Sequence, residues 1–353
     1  MEIFNQPDEF KNDALFADSE RKSDHINLAI KSQTSVFESD RRFYYEPMIS
    51  GFPLNPLEPI PFAGKKLNVP VWVSSMTGGH RLAGTINRNL ARACNEFGMG
   101  MGLGSCRMLL SEDTYFDDFN VRSIIGDENP LFANLGIAQI EEMIALHKTD
   151  DLRRLIDRLK ADGLIIHVNP LQEWVQPEGN TICHAPADTI EKLLEKIDFQ
   201  LIVKEVGQGF GPQSIRRLLK LPLAAIEFGA FGGTNFSKVE IQRNSFPKDE
   251  LHQPFVNIGV TAEEMVDIIN DMWINGENFA CNQLIISGGI ANYLDGFYLT
   301  EKSILPAIYA QASVFLKYSQ GEYSELQHFV ASQIEGFRMA KSYLTLKNPK
   351  KVN

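Results

Sequence analysis

The chain has 353 residues, enough for one large domain or two ordinary ones with a full core. Charged residues at 22% and apolar ones at 44% sit near globular averages, so disorder is not expected outside the ends. A net charge of -11 argues against broad nucleic-acid binding, which needs a clustered basic surface, yet leaves room for a local Arg/Lys pocket.

The four cysteines (Cys94, Cys106, Cys183 and Cys281) are far apart and form no C-x-x-C pair, so neither a disulfide framework nor a zinc site is suggested. The chain opens on no signal-like segment, and no apolar run approaches the ~18–20 residues of a membrane span. The expectation is a cytoplasmic protein without a membrane partner.

In chain order, Met1 to about Ala17 reads as a mobile lead-in. Glu20 to Ile30 then suits a short helix, with Arg21 and His25 on one face at i and i+4. Arg21, Lys22 and His25 form a cationic cluster, either a diphosphate clamp or a solvated charge group. A Pro-rich connector covers 51–61. Beyond it apolar strands alternate with amphipathic helices, each strand ending in a polar tip. The strands run Val69–Val73, Gly98–Leu103, Leu131–Ala133, Leu164–Ile166, Gln200–Val203, Ala224–Phe228 and Gln283–Ile286. Ala312–Leu316 is a weaker eighth. Thr261-Ala262-Glu263-Glu264 has the form of a capping box opening the helix Met265–Trp273. Leu326, Phe329, Val330, Ile334 and Phe337 suggest a last helix packed on the body.

Eight strand–helix units match a (β/α)8 TIM barrel, which uses about 250 residues. An open doubly wound sheet is the alternative, but it would carry one Gly-rich fingerprint after its first strand, whereas here nearly every strand has a polar tip. The expected organisation is an N-terminal extension over 1–60 contributing to the substrate site, then the barrel with its C-terminal helix over 61–353.

In such a barrel chemistry gathers at the carboxyl ends of the strands. His167-Val168-Asn169-Pro170-Leu171-Gln172-Glu173, after the fourth strand, is the richest tip. Ser287-Gly288-Gly289-Ile290, the seventh, has the form of a phosphate loop, although a tight turn explains four such residues as well. Lys204 ends the fifth strand, where it would stabilise an anion or form a Schiff base; an ion pair with Glu205 is the structural alternative. Glu173 suits Mg2+, an oxygen-seeking ion. H-E-x-x-H, G-x-S-x-G and the P-loop pattern are absent, which disfavours zinc proteolysis, α/β-hydrolase chemistry and NTP hydrolysis.

Together these segments resemble the type 2 isopentenyl diphosphate isomerases, FMN-dependent barrels. The resemblance runs from about Glu20 to Lys317 through R-K-S-D-H at 21–25, M-T-G-G at 76–79, G-S-C-R at 104–107 and N-L-G at 134–136. It continues through H-V-N-P-L-Q-E-W-V-Q-P-E-G-N at 167–180, K-E-V-G at 204–207, G-G-T-N-F at 232–236 and S-G-G-I at 287–290. It implies a homo-oligomer, a tetramer or larger, that interconverts isopentenyl and dimethylallyl diphosphate using reduced FMN, Mg2+ and NADPH as reductant. It also implies residue roles. Met76, Thr77, Gly78, Ser105 and Asn134 would line the flavin, and Lys204 would face its N1/O2 side. Thr234, Ser287, Gly288 and Gly289 would hold the ribityl chain and phosphate. Arg21, Lys22, Arg107, His167 and Asn169 would bind the substrate diphosphate. Gln172 would sit by the isomerising carbons, and Glu173 would ligate Mg2+.

The end of the chain departs from the family. Ala291 stands where an Arg or Lys is usual, Leu294 to Ser303 reads as an insertion, and Phe315 in the eighth strand would obstruct close backbone approach to phosphate, with Lys317 as compensating charge. Two other functions follow from these features: an FMN-dependent 2-hydroxy-acid oxidoreductase, and a flavin-free prenyl-diphosphate binding barrel. The first is disfavoured because no His lies in Ile226–Thr234 and no Arg follows Gly289. The second has little use for Gln172, Glu173 and Lys204 together.

Overall fold

The computed structural model describes residues 24–75, 82–243 and 251–349. The expected lead-in to Ala17 and the beginning of the first helix lie outside these residues. The chain divides into two compact units, Met1–Phe43 and Tyr44–Asn353. In the described part of the first, residues 24–29 are helical, and a 3-10 turn at Val36–Glu38 is held by a capping box between Ser35 and Glu38.

The second unit is a closed barrel of eight parallel strands. They are β1 (Val71–Val73), β2 (Gly100–Gly102), β3 (Leu131–Gly136), β4 (Gly163–Val168), β5 (Gln200–Glu205), β6 (Ala225–Glu227), β7 (Leu284–Ser287) and β8 (Ala307–Gln311). Strands wrapped by helices are buried on both faces and read as unbroken apolar runs, as Leu164-Ile165-Ile166 does. The open-sheet alternative is excluded because β8 pairs with β1, Ala310 opposite Trp72.

The eighth strand corrects the sequence reading. It is Ala307–Gln311, and the expected strand Ala312–Leu316 instead falls mostly within the helix Ser313–Ser319. Phe315 is fully buried there against the Phe329 ring, 5.5 Å between centroids, so it obstructs no phosphate loop. Lys317 lies in the same helix, its ammonium over the Tyr318 ring. The expected insertion is the helix Tyr293–Lys302, opened by a capping box from Asn292 to Asp295.

The barrel is filled by Trp72, Phe132, Ile165, Ile202, Ile285 and Ile308, joined by Phe62 and Leu67 from a hairpin, Ile60–Phe62 with Lys65–Leu67. That hairpin closes the amino end of the barrel: Ala63 N–H donates to Gln283 Oε1 just before β7, and Phe62 tilts against Trp72 at 5.4 Å. A Cβ on Gly100 would lie 2.4 Å from the Trp72 ring, so the indole requires glycine in β2. Polar side chains tie down the same end, where Arg122 Nη2 and Lys65 Nζ both reach Asp162, at 2.8 and 2.6 Å. With the amino end plugged, the carboxyl end is left for the loops.

The helix Tyr323–Tyr343 packs on the outside as its periodicity predicts. Phe337 stacks on Tyr309 of β8 and meets Phe297 edge-on. No helix among the described residues is long and apolar enough to cross a membrane.

Candidate active site

A cavity of about 230 Å³ opens at the carboxyl ends of β1 and β5 to β8. Lys204, Thr234, Ser287, Gly288 and Gly289 all line it, so five residues from three separate tips meet in one place. Ser74 and Ser75 after β1, and the turn Gln311 to Val314 after β8, complete the wall.

The glycines there are dictated by crowding and by backbone conformation. Gly288 has φ +88°, and a Cβ on it would fall 2.1 Å from the Ala230 carbonyl oxygen. Gly289 packs on Gly232 of the β6 loop, where a Cβ would lie 3.4 Å from the neighbouring Cα. Crowding excludes a side chain at Gly288, whereas at Gly289 it is the positive φ of +73° that favours glycine. Two buried polar atoms on the wall, Ser75 Oγ and Gln311 Oε1, have no hydrogen-bond partner among the described residues. Buried polar groups are normally satisfied, so both fit a polar occupant such as the ribityl chain and phosphate of FMN.

His167, Lys204 and Glu227 are register partners across β4, β5 and β6, which puts their side chains on one face. Lys204 Nζ donates to the Glu205 carbonyl oxygen at 3.2 Å and lies 4.0 Å from Glu227 Oε1. The alternative ion pair with Glu205 does not form. That carboxylate is turned away, accepting from the N–H groups of Gly207, Gln208 and Gly209. His167 Nδ1 lies 2.7 Å from Asn134 Oδ1. An amide oxygen only accepts, so Nδ1 carries the proton and Nε2, beside Gly136, is the nitrogen without one. Burial, then the Lys204 charge, pull this imidazole down to about 4. It is neutral at physiological pH.

Beside this row lies a network of amides and carboxylates. Asn169 Nδ2 donates to Gln172 Oε1 and to Glu173 Oε1, each at 3.1 Å. Asn180 N–H donates to Glu173 Oε2 at 2.6 Å. Gln172 Nε2 donates to Glu240 Oε1 at 3.0 Å, and Arg243 Nη1 holds the other Glu240 oxygen at 2.5 Å. No group of three or more His, Cys, Asp or Glu side chains suited to a metal ion occurs among the described residues.

Ser105 and Arg107 stand apart from the cavity. Both are exposed and line a separate depression with Gln139 and Glu142. Cys106 between them is buried, its thiol pushed up to about 12. Arg21, Lys22, Met76, Thr77 and Gly78 lie outside the described residues.

Sequence reasoning missed Glu240 and Glu227. Glu240 sits in the helix Phe236–Arg243, whose apolar face is too weak to flag one buried acid. Glu227 had a legible signal: a lone carboxylate within the apolar run Ala224–Phe228.

No family model matches the chain. Among curated proteins, an isopentenyl-diphosphate delta-isomerase of Rickettsia felis is 33% identical over 332 residues, covering 91% of both chains. This chain belongs to the type 2 isopentenyl-diphosphate delta-isomerases. The enzyme of the same name from Chlorobium chlorochromatii is 32% identical over 299 residues, 78% of this chain and 80% of that one. Among solved structures, a mandelate oxidase variant with an FMN adduct superposes with a TM-score of 0.54 at 14% identity, covering 87% of this chain and 88% of that one. A flavocytochrome b2 variant with sulfite bound gives 0.58 at 12% identity, covering 85% and 72%. At such identities the likeness to the oxidases is one of fold.

Proposed function

We propose that this isomerase interconverts isopentenyl and dimethylallyl diphosphate by protonation at one carbon and deprotonation at another, with reduced FMN in the cavity after β7 and β8. The carrying observation is the meeting of Lys204, Thr234 and Ser287–Gly289 at one cavity, in a chain similar along 91% of its length to such an isomerase.

Thr234, the Gly288–Gly289 turn, Ser75 and Gln311 would hold the cofactor. When bound, reduced FMN supplies an electron-rich ring and an exchangeable proton beside the alkene, without net electron transfer. Lys204 sets a positive charge at the cavity wall, where it opposes developing negative charge. The Gln172 amide is fixed at both ends, by Asn169 and by Glu240, so it presents a set orientation to the reacting carbons. The Glu240 carboxylate behind it, paired with Arg243, accepts from the Gln172 amide and fixes which way that amide points. Asn169 and His167 are proposed for the diphosphate, whose binding energy positions the alkene; Arg107, in its separate depression, would join them only by turning its side chain toward the site. Glu173 is proposed as the Mg2+ ligand, and NADPH as the reductant that brings FMN to its working state. A cytoplasmic location fits the acidic composition. A homo-oligomer, tetrameric or larger, is proposed as well; the exposed Met48, Ile49 and Leu54 on the barrel unit are apolar surface that association would cover.

Isomerisation in D2O, followed by NMR, tests the proton chemistry. Deuterium is expected in the dimethylallyl product and, on reversal, in recovered substrate. Turnover without solvent deuterium would rule the mechanism out.

A further inference from the structure

Glu227 has no exposed surface, no place in the scheme above, and a position at the carboxyl end of β6. Neighbouring positions in the barrel interior are filled by Ile165, Ile202 and Ile285. A buried carboxylate costs far more than such a side chain unless a partner compensates it. Its surroundings are specific. Ser74, from the end of β1, donates a short hydrogen bond to Oε1. The Lys204 ammonium lies 4.0 Å from the same oxygen, while Oε2 makes no hydrogen bond among the described residues. Burial pushes this carboxyl upward, and Lys204 and Ser74 pull it back. Lys204 in turn is only 7% exposed, and its one described hydrogen bond is to the Glu205 carbonyl oxygen. Lys204 and Glu227 are therefore each other's nearest opposite charge at the wall, with only neutral hydrogen-bond partners besides. Both Ser74 and Lys204 line the cavity, and Glu227 lies just behind them.

We propose that Glu227 is a positioning residue whose carboxylate anchors the Lys204 ammonium at the cavity wall and thereby sets the positive field felt by a flavin seated there. The inference rests on the reading that the cavity takes FMN. A counter-charge behind Lys204 cancels part of its field. Taking that charge away stabilises the extra electrons of reduced flavin, so the midpoint potential rises.

The test is the midpoint potential of FMN bound to the full-length protein, measured by anaerobic dye equilibration in neutral to mildly alkaline buffer, which favours the Glu227 carboxylate. E227Q, a neutral isostere, is expected to keep FMN and to show a more positive potential than wild type. E227D keeps the charge but withdraws it by one methylene, and is expected to fall between the two. A potential in E227Q equal to or below that of wild type overturns the proposal, because a side chain that merely fills space leaves the potential unmoved. Should E227Q fail to fold, E227D carries the test, and no rise there overturns it equally. A wild-type protein that takes up no FMN sinks the cofactor reading itself, and this inference with it.

Discussion

Two cations side by side on β4 and β5 would repel, and the site settles this by keeping one neutral. His167, register partner of Lys204, has its imidazole drawn down to about 4, by burial first and by Lys204 second. A folded-state value below the ordinary imidazole range means the unfolded chain binds the proton first. This side chain therefore contributes stability above about pH 6.5 that is lost as pH falls toward 4. A bound diphosphate has the opposite sign of charge and raises the value. Binding of inorganic pyrophosphate at about pH 6 is expected to take up a proton, seen in calorimetry as a heat that depends on the buffer's ionisation enthalpy. Equal heats in two buffers, or no such loss in His167→Gln, would contradict the assignment. Glu240 belongs to the same scale. Because its carboxylate orients the Gln172 amide, E240A is expected to lower kcat by roughly 10²-fold or more while FMN absorbance and affinity stay put. Parallel loss of both would mark Glu240 as structural.

At the scale of elements, the β6 and β7 loops are fixed by contact between glycines. Gly288→Ala must relieve a Cβ placed 2.1 Å from the Ala230 oxygen at φ +88°. Strain of about 1–3 kcal/mol is expected. FMN affinity should fall roughly tenfold or more, read by quenching of flavin fluorescence on binding. Unchanged affinity would show that the turn does not touch the cofactor. The last helix has a different task. Phe337, buried between Tyr309 and Phe297, contributes packing far from the cavity. Phe337→Ala should cost about 3–5 kcal/mol in denaturant unfolding, with turnover per folded molecule intact. Element boundaries were legible where a strand was long and apolar, as in β3 to β5. β8 was not, because Ala307-Ile308-Tyr309-Ala310-Gln311 is less apolar than the Ala312–Leu316 run that follows. A seven-residue helix such as Ser313–Ser319 is too short for its period to show. That one shift made Phe315 look like an obstruction when it is a core residue.

At the scale of the whole molecule, the barrel and its mouth could be read from the succession of polar strand tips. The partners of the acids beside that mouth could not, although the lone carboxylate of Glu227 in an apolar run marked its position. Lys204, Thr234 and Ser287–Gly289 stand in local motifs at strand tips, so their meeting at one cavity was foreseeable. Glu227 meets Lys204 through the pairing of β5 with β6, and Glu240 meets Gln172 through a helix docking against the β4 tip, contacts between segments far apart in sequence. The same distinction applies to Ser105 and Arg107, whose motif is intact but whose side chains face a separate depression.

The central claim is that this barrel isomerises isopentenyl diphosphate with reduced FMN. It is tested most directly by anaerobic turnover with Mg2+, with and without FMN and NADPH, in wild type and Gln172→Ala. The account predicts dimethylallyl diphosphate only when reduced FMN is present, and a loss of at least ~10²-fold in Gln172→Ala. Turnover that proceeds without flavin, or its absence with FMN fully bound and reduced, would contradict it.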